Sequence, residues 1–204
     1  MIKAKKSLGQ NFLNDKNVLQ KIINSVNIEN KSILEVGPGT GNLTSYILEN
    51  KPKKVIVIEK DNLLVQELRK LFGKRITIIN EDILKIDETN FFNEKMIVFG
   101  NLPYNVSTEI ITKWIINSKK ILWFECLILM FQKEVADRII AEFNTSNYGR
   151  LSIICNWKLY IKKICDIKPE AFSPKPKVDS SLLFFYPKKN FIKIQNPKNL
   201  EKIT

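Results

Sequence analysis

The sequence predicts an α/β fold, a doubly wound and mostly parallel sheet of about seven strands. Short apolar runs alternate with segments of helical spacing, and this alternation is typical of parallel strands joined by crossover helices. Clusters of glycine or polar residues follow several of these runs directly. Because ligands of such sheets bind beyond the carboxyl ends of the strands, these clusters also indicate where a site lies.

The expected strands, in chain order, are residues 32–36, 54–58, 76–79, 96–99, 122–131, 151–157 and 181–186. The expected helices are residues 42–49, 62–71, 107–116 and 132–143. In the second helix, the spacing of Leu64, Leu68 and Leu71 predicts a buried face. Residues 1–187 therefore form the expected domain, and residues 188–204, rich in Lys and Asn, form a short tail.

Composition excludes several classes of chemistry. The chain has 204 residues, no histidine and a formal charge of +12. Without histidine, neither Ser-His-Asp nor Cys-His catalysis nor a His-containing zinc site is possible. Three cysteines without C-x-x-C spacing argue against zinc ribbons and disulfide frameworks, so we expect no metal and a reducing compartment. The excess of positive charge favours a phosphate-bearing partner such as nucleic acid.

Membrane and export signals are also missing from the sequence as given. The N-terminal residues include lysines but no apolar stretch of the kind found in signal peptides. The longest apolar run, residues 121–131, is interrupted by Glu125 and is too short to span a bilayer. We therefore expect a cytoplasmic protein without membrane contact.

A glycine-rich turn follows the first expected strand. Gly37, Gly39 and Gly41 give the spacing E-x-G-x-G-x-G together with Glu35. Such a turn lets a ligand approach bare backbone at a helix N-terminus. Asn42 stands where the dinucleotide fingerprint needs its third glycine, and no Walker lysine follows. The turn thus fits a nucleoside better than a pyrophosphate.

Two acidic residues close the next strands. Glu59, about 20 residues after the glycine turn, is placed to accept hydrogen bonds from ribose hydroxyls. Asp82, beside the apolar Ile83, is placed to accept one from an adenine amine. A ligand with adenosine, no phosphate and an electrophilic end is S-adenosylmethionine, which is the expected cofactor.

The segment Asn101-Leu102-Pro103-Tyr104 follows the fourth expected strand. The Asn101 side-chain oxygen and the Leu102 carbonyl could hold both N–H groups of an adenine N6 amine. Pro103 stiffens the turn and removes a competing donor. The ring of Tyr104 could stack on an extruded base, a contact worth roughly 1–3 kcal/mol. The sequence therefore predicts methyl transfer to adenine without a titratable base.

At this point the motifs resemble those of the ribosomal RNA small-subunit adenine dimethyltransferases. The matching stretches begin at residue 8 and end at residue 180: Leu8-Gly9-Gln10-Asn11-Phe12-Leu13, Glu35 to Gly41, Glu59, Glu81-Asp82, Gly100 to Asn105, Gln132 to Ala136, Tyr148 to Ser152, and Phe172 to Ser180. Each stretch alone is weak, but the ordered set is specific. The resemblance implies a Rossmann-like class I methyltransferase that dimethylates N6 of two adjacent adenines near the 3′ end of small-subunit rRNA.

The resemblance also implies roles for individual residues. The implied cofactor contacts are Asn11, Leu13, Gly37, Gly39, Glu59, Asp82 and Asn101. Asn101 and Tyr104 would hold the target adenine, Phe172 would stack on its other face, and Lys175 and Lys177 would meet backbone phosphates. The implied partner is rRNA within the assembling small ribosomal subunit, bound by a monomer. The family continues into a smaller helical domain, of which residues 188–204 would be only the start.

Three alternatives remain open at the level of sequence. One is the related resistance methyltransferase that modifies an adenine of large-subunit rRNA. Another is a non-catalytic nucleic-acid-binding relative, against which the intact Asn101, Tyr104 and Glu59 argue. The last is a small-molecule methyltransferase, which the Asn-Leu-Pro-Tyr motif and the positive charge disfavour.

Overall fold

A seven-stranded sheet flanked by helices forms the centre of the molecule, as the sequence predicts. The computed structural model describes residues 4–5, 8–88, 92–118 and 122–200. The described strands are β1 (Phe12–Leu13), β2 (Ser32–Val36), β3 (Lys54–Ile58), β4 (Thr77–Ile79), β5 (Met96–Asn101), β6 (Phe124–Gln132), β7 (Leu159–Ile167), β8 (Phe172–Ser173) and β9 (Ser180–Pro187). The described helices are α1 (Lys16–Ile23), α2 (Asn42–Glu49), α3 (Asn62–Phe72), α4 (Ser107–Asn117), α5 (Lys133–Ile139) and α6 (Arg150–Lys158).

Strand order in the sheet is β4-β3-β2-β5-β6-β9-β7. The first five strands in this order are parallel to one another, whereas β9 runs antiparallel to both β6 and β7. The carboxyl ends of β2, β3, β4 and β5 consequently lie along one edge of the sheet. This edge carries the loops that the sequence marks as a site.

Helices cover both faces of the sheet, so its central strands are apolar on both sides. In β5, Met96 and Val98 pack into the cluster on one face, while Ile97 and Phe99 pack into the cluster on the other. This double burial explains why these strands are visible in the sequence as continuous apolar runs.

The expected strand at residues 151–157 is wrong, because these residues form most of α6. Its buried residues include Leu151, Ile154 and Cys155, a spacing of three and four that fits a helix. The true strand is the following segment, β7. Strand β7 lies at the edge of the sheet and is mostly only partly buried, so it mixes apolar and polar residues and lacks a continuous apolar run.

Other differences from the sequence prediction are smaller. Helix α1 and the two-stranded ribbon of β1 and β8 were not expected, and α5 ends at Ile139. In α3 it is Phe72 that is buried, whereas Leu71 is exposed. The predicted boundary at residue 187 stays a prediction; just beyond it, Phe191 packs edge-on against Trp157 of α6.

Of the helices in the described part of the chain, none has the length and apolar character needed to cross a membrane.

Candidate active site

A cavity opens at the carboxyl ends of the parallel strands, where the fold places it. Five loops line it, and together they contain ten of the eleven predicted site residues. The ten are Asn11, Leu13, Gly37, Gly39, Glu59, Asp82, Asn101, Leu102, Pro103 and Tyr104. These residues belong to separate motifs along the sequence, and the fold brings the motifs together around one cavity.

The glycine turn between β2 and α2 has a backbone that only glycine adopts freely. Gly37, Gly39 and Gly41 have φ values of +69°, +58° and +83°. Gly41 occupies the N-cap position of α2, and no side chain caps this helix. The first N–H groups of α2 are therefore available at the cavity.

Glu59 connects the end of β3 to this turn. Its side chain is 7% exposed, its Oε2 accepts a hydrogen bond from the Gly39 N–H at 3.3 Å, and its Oε1 accepts one from the Asp61 N–H at 2.8 Å. Burial raises the pKa of Glu59, and these hydrogen bonds oppose that rise. Each carboxylate oxygen of Glu59 has a second lone pair, so the side chain can still accept a hydrogen bond from a ligand hydroxyl.

Asp82 lies at the next strand end and begins a short 3-10 helix, Ile83–Lys85. Its Oδ1 accepts from the Leu84 N–H at 3.0 Å, and its Oδ2 accepts from Lys60 Nζ at 2.7 Å. Burial raises the pKa of Asp82, but the Lys60 ammonium and the Leu84 N–H outweigh it and hold that pKa below its usual range. Asp82 is thus an ionised acceptor at the rim of the cavity.

Residues 8–13, which we call the N-terminal strap, form another wall of the cavity. The Asn42 side-chain amide donates to the Leu13 carbonyl at 2.8 Å. Asp61 holds the far end of the strap, because its carboxylate accepts from Gln10 Nε2 at 3.0 Å and from Lys5 Nζ at 2.7 Å. Asn42, which departs from the dinucleotide fingerprint, therefore has a structural role in joining the strap to the glycine turn.

Residues 101–106, the acceptor loop, face the cavity from the end of β5. The Asn101 Nδ2 donates to the Asn11 carbonyl at 2.7 Å, which orients the amide and ties the loop to the strap. In the part of the chain that the structure describes, neither Asn101 Oδ1 nor the Leu102 carbonyl accepts a hydrogen bond. The loop therefore presents two free acceptors.

Tyr104 is held by a residue to which the sequence interpretation gave no role. Its hydroxyl and the Oγ of Ser180 share a hydrogen bond of 2.5 Å. Ser180 is fully buried at the start of β9. Burial raises the pKa of Tyr104, although the Ser180 hydrogen bond opposes this. The ring thus lines the cavity in a fixed position, 76 residues in sequence from its anchor.

A buried carboxyl, Glu35, lies beneath the glycine turn. It is 2% exposed, and its Oε2 accepts from the Thr44 hydroxyl at 2.6 Å. Burial raises the pKa of Glu35 to about 7, a rise that the Thr44 hydrogen bond opposes and the charge of Glu59 reinforces. The sequence pattern included Glu35 but could not reveal this environment.

Phe172 is the predicted site residue that the structure does not bring to the cavity. It is 3% exposed, pairs with Leu13 in the β1–β8 ribbon, and packs in the hydrophobic cluster on that side of the sheet. Stacking on a base needs an accessible ring face, and in this structure the ring is buried. The ring packs in the same hydrophobic cluster as Leu13 of the strap. The stacking role of Phe172 stays a prediction.

The two lysines expected to meet phosphates lie on the surface after Phe172. Lys175 Nζ is 3.7 Å from Glu170 Oε1, and both side chains are about two-thirds exposed, at 65% and 68%. Such an exposed pair contributes little to stability, so Lys175 can exchange its partner. Lys177 is exposed and forms no ion pair among the described residues.

Comparison with known proteins identifies the family of this chain. The family model described as ribosomal RNA adenine dimethylase matches residues 1–204. A protein of Pelagibacter ubique named ribosomal RNA small subunit methyltransferase A is 63% identical over 203 residues, which are 100% of this chain and 78% of that protein. A protein of the same name from Rhizobium etli is 39% identical, covering 98% of this chain and 74% of the relative.

Two solved structures share the fold of this chain. A dimethyladenosine transferase from Plasmodium falciparum superposes with a TM-score of 0.77 at 34% identity, covering 87% of this chain and 64% of that longer one. The 23S rRNA methyltransferase ErmE superposes with a TM-score of 0.76 at 24% identity, covering 94% of this chain and 75% of its own, and shows the fold alone. The resemblance inferred from the motifs is confirmed: the chain belongs to the ribosomal RNA adenine dimethylase family.

Proposed function

We propose that this protein transfers methyl groups from S-adenosylmethionine to N6 of two adjacent adenines near the 3′ end of small-subunit (16S) rRNA, giving N6,N6-dimethyladenine. The observation that carries the proposal is the pair of free acceptors at Asn101 and Leu102, in the same cavity as Glu59 and Asp82. The names of the relatives support small-subunit RNA as the substrate. We further propose that the protein acts in the cytoplasm on the assembling small subunit, as a monomer and without a metal ion.

The cavity residues fit S-adenosylmethionine by their chemistry. Glu59 and Asp82 offer acceptors at the ends of neighbouring strands, suited to ribose hydroxyls and to an adenine amine. Ile83 adds an apolar contact, and the bare backbone at Gly37 lets a ligand approach closely. When bound, S-adenosylmethionine supplies a methyl group on a positively charged sulfur.

The acceptor loop prepares the nucleophile. The lone pair of adenine N6 is delocalised into the ring, which makes the amine a poor nucleophile. Hydrogen bonds from its two N–H groups to Asn101 Oδ1 and to the Leu102 carbonyl favour a pyramidal nitrogen with a localised lone pair. Tyr104 supplies a ring face for an extruded base. Orientation of the amine accounts for most of the rate in this scheme, and the released proton passes to water.

The test is transfer of labelled methyl groups from S-adenosylmethionine to immature small subunits, naked small-subunit rRNA and large subunits. We expect label in small-subunit RNA, found by mass spectrometry as N6,N6-dimethyladenine at two adjacent positions. Label confined to large-subunit RNA would contradict the proposal, and a folded protein that binds no S-adenosylmethionine would indicate the non-catalytic class.

A matched pair of asparagine variants tests the role of the acceptor loop. Asn101→Ala should abolish turnover while the Kd for S-adenosylmethionine stays within about tenfold of wild type. Asn117→Ala removes an exposed amide at the far end of α4 and should behave like wild type. Equal loss of turnover and cofactor affinity in Asn101→Ala would mean that Asn101 is only structural.

A further inference from the structure

Helix α4 connects two loops of the cavity. It begins at Ser107, directly after the acceptor loop, and the Ser107 hydroxyl donates to the Tyr104 carbonyl at 3.3 Å. Two turns further along, Lys113 reaches the loop of residues 82–86, which carries Asp82. One rigid helix therefore contacts both the loop proposed for the target adenine and the loop proposed for the cofactor adenine.

The Lys113 ammonium uses all three of its donors on this loop and its continuation. It donates to the Ile83 carbonyl at 2.8 Å, to the Ile86 carbonyl, and to Glu88 Oε1 at 2.9 Å. The side chains of Lys113 and Glu88 are only 17% and 5% exposed, so water competes little for these bonds. Helix α4 thereby holds the loop through two of the loop's backbone carbonyls.

Glu88 is itself held in place. Its Oε1 also accepts a hydrogen bond at 2.7 Å from the indole N–H of Trp114, the residue next to Lys113. Trp114 is 1% exposed and belongs to the main hydrophobic cluster. The charge of Lys113 is thus balanced by a carboxylate in a fixed position, and the loop cannot shift without breaking a buried ion pair.

We propose that Lys113 is a positioning residue for cofactor binding, which fixes the Asp82–Ile83 segment against the cofactor's adenine and sets its distance from the acceptor loop. The inference rests on the proposed function, because it assigns the adenine to this segment. Lys113 does not line the cavity, whereas Asp82 and Ile83 do. Its effect on the cofactor is therefore exerted through the loop.

Another buried lysine provides a matched control. Lys158 is 1% exposed and contacts the opposite end of α4, where its Nζ donates to the carbonyls of Ile115 and Ser118 at 2.8 and 2.6 Å. It takes no part in lining the cavity. Lys113→Met and Lys158→Met each remove one buried ammonium that binds backbone carbonyls, but only the first removes it from the loop of residues 82–86.

The experiment measures the Kd for S-adenosylmethionine by calorimetry and amide hydrogen exchange without cofactor. Lys113→Met should raise the Kd about tenfold, as expected for buried carbonyls that lose a charged donor. It should also speed exchange of the Lys85 and Ile86 amides, which donate to the carbonyls of Asp82 and Ile83. Lys158→Met should lower the melting temperature and leave both the Kd and this exchange unchanged.

A double-mutant cycle with Asp82→Ala tests whether Lys113 acts through the loop. In the Asp82→Ala background, Lys113→Met should raise the Kd less than about threefold, because the acceptor it positions is gone. If Lys113→Met does not fold, Lys113→Gln, which keeps a donor but loses the charge, replaces it with Lys158→Gln as its control; the rise in Kd should then be smaller but still present in Lys113→Gln alone.

The outcomes separate this inference from the proposed function. Wild-type protein without affinity for S-adenosylmethionine would overturn both. Wild-type protein that binds, together with Lys113→Met of unchanged Kd, would overturn the inference alone. Equal losses of affinity in Lys113→Met and Lys158→Met, or fully additive effects with Asp82→Ala, would reduce Lys113 to a stabilising residue.

Discussion

Gly39 offers a direct test of how the strap and the glycine turn form the cofactor site. A Cβ at this position would lie 2.8 Å from Cδ1 of Phe12 in the strap, so Gly39→Ala must displace the Phe12 ring. The backbone there also has a φ of +58°, which costs an alanine roughly 1–2 kcal/mol. We therefore expect a loss of about 2 kcal/mol in unfolding free energy, since part of the steric conflict is relieved by movement of the strap.

The same displacement should affect the cofactor site. The Gly39 N–H donates to Glu59, and the strap is bound to Asn101 through the Asn11 carbonyl. Moving Phe12 disturbs both connections, so the Kd for S-adenosylmethionine should rise about tenfold or more, the equivalent of one hydrogen bond to a charged group.

Two other glycines separate the causes. Gly73 has a φ of +54° but no atom within 4 Å of an added Cβ, and Gly149 has neither a positive φ nor a neighbour within that distance. In urea unfolding and calorimetric titration, Gly73→Ala should lose stability and keep its affinity, and Gly149→Ala should resemble wild type. A Gly39→Ala protein with wild-type affinity would refute the reasoning.

Three further predictions concern individual side chains. Burial raises the pKa of Glu35 to about 7 from 4.5, so between these pH values the folded state keeps a proton that the unfolded state releases, and the free energy of unfolding should fall by about 3 kcal/mol as the pH rises from 4.5 to 7. Glu35→Gln should flatten this part of the pH profile measured by urea unfolding. Identical profiles for the variant and the wild type would contradict the prediction. Tyr104→Phe removes the hydrogen bond to Ser180, so it should lower the free energy of unfolding by about 1 kcal/mol and keep most turnover. Tyr104→Ala removes the ring as well and should lower kcat/KM about 10- to 100-fold. Equal losses of kcat/KM in the two variants would argue against stacking. Glu59→Ala should raise the Kd for S-adenosylmethionine before it affects kcat at saturating cofactor, and a pure kcat defect would exclude ribose binding.

The parts of the fold that were predictable from sequence are those with local signals. The strands β2, β3 and β5 are largely buried, and their mostly apolar sequences are followed by Gly37, by Glu59 and by Gly100-Asn101. These strand ends carry most of the site, which is why ten predicted residues share one cavity. The edge strand β7 is only partly buried and has a mixed sequence, so the apolar residues of its neighbour α6 give the stronger, and misleading, strand signal.

Long-range pairings could not be predicted in the same way. Phe172 is buried in the hydrophobic cluster beside the β1–β8 ribbon, where it pairs with Leu13, about 160 residues earlier in the chain. The contacts of Tyr104 with Ser180 and of Lys113 with Glu88 also join residues from different elements. No local spacing announces such contacts, because they depend on how the loops meet after the sheet has formed.

The central claim is that the acceptor loop and the cofactor share one cavity, with space for an adenine beside them. A crystal structure of the protein with S-adenosylhomocysteine tests it most directly. It should show the ribose hydroxyls at Glu59, the adenine at Asp82 and Ile83, and the sulfur facing Asn101. Electron density for the ligand at another place, or a sulfur directed away from the acceptor loop, would contradict the account.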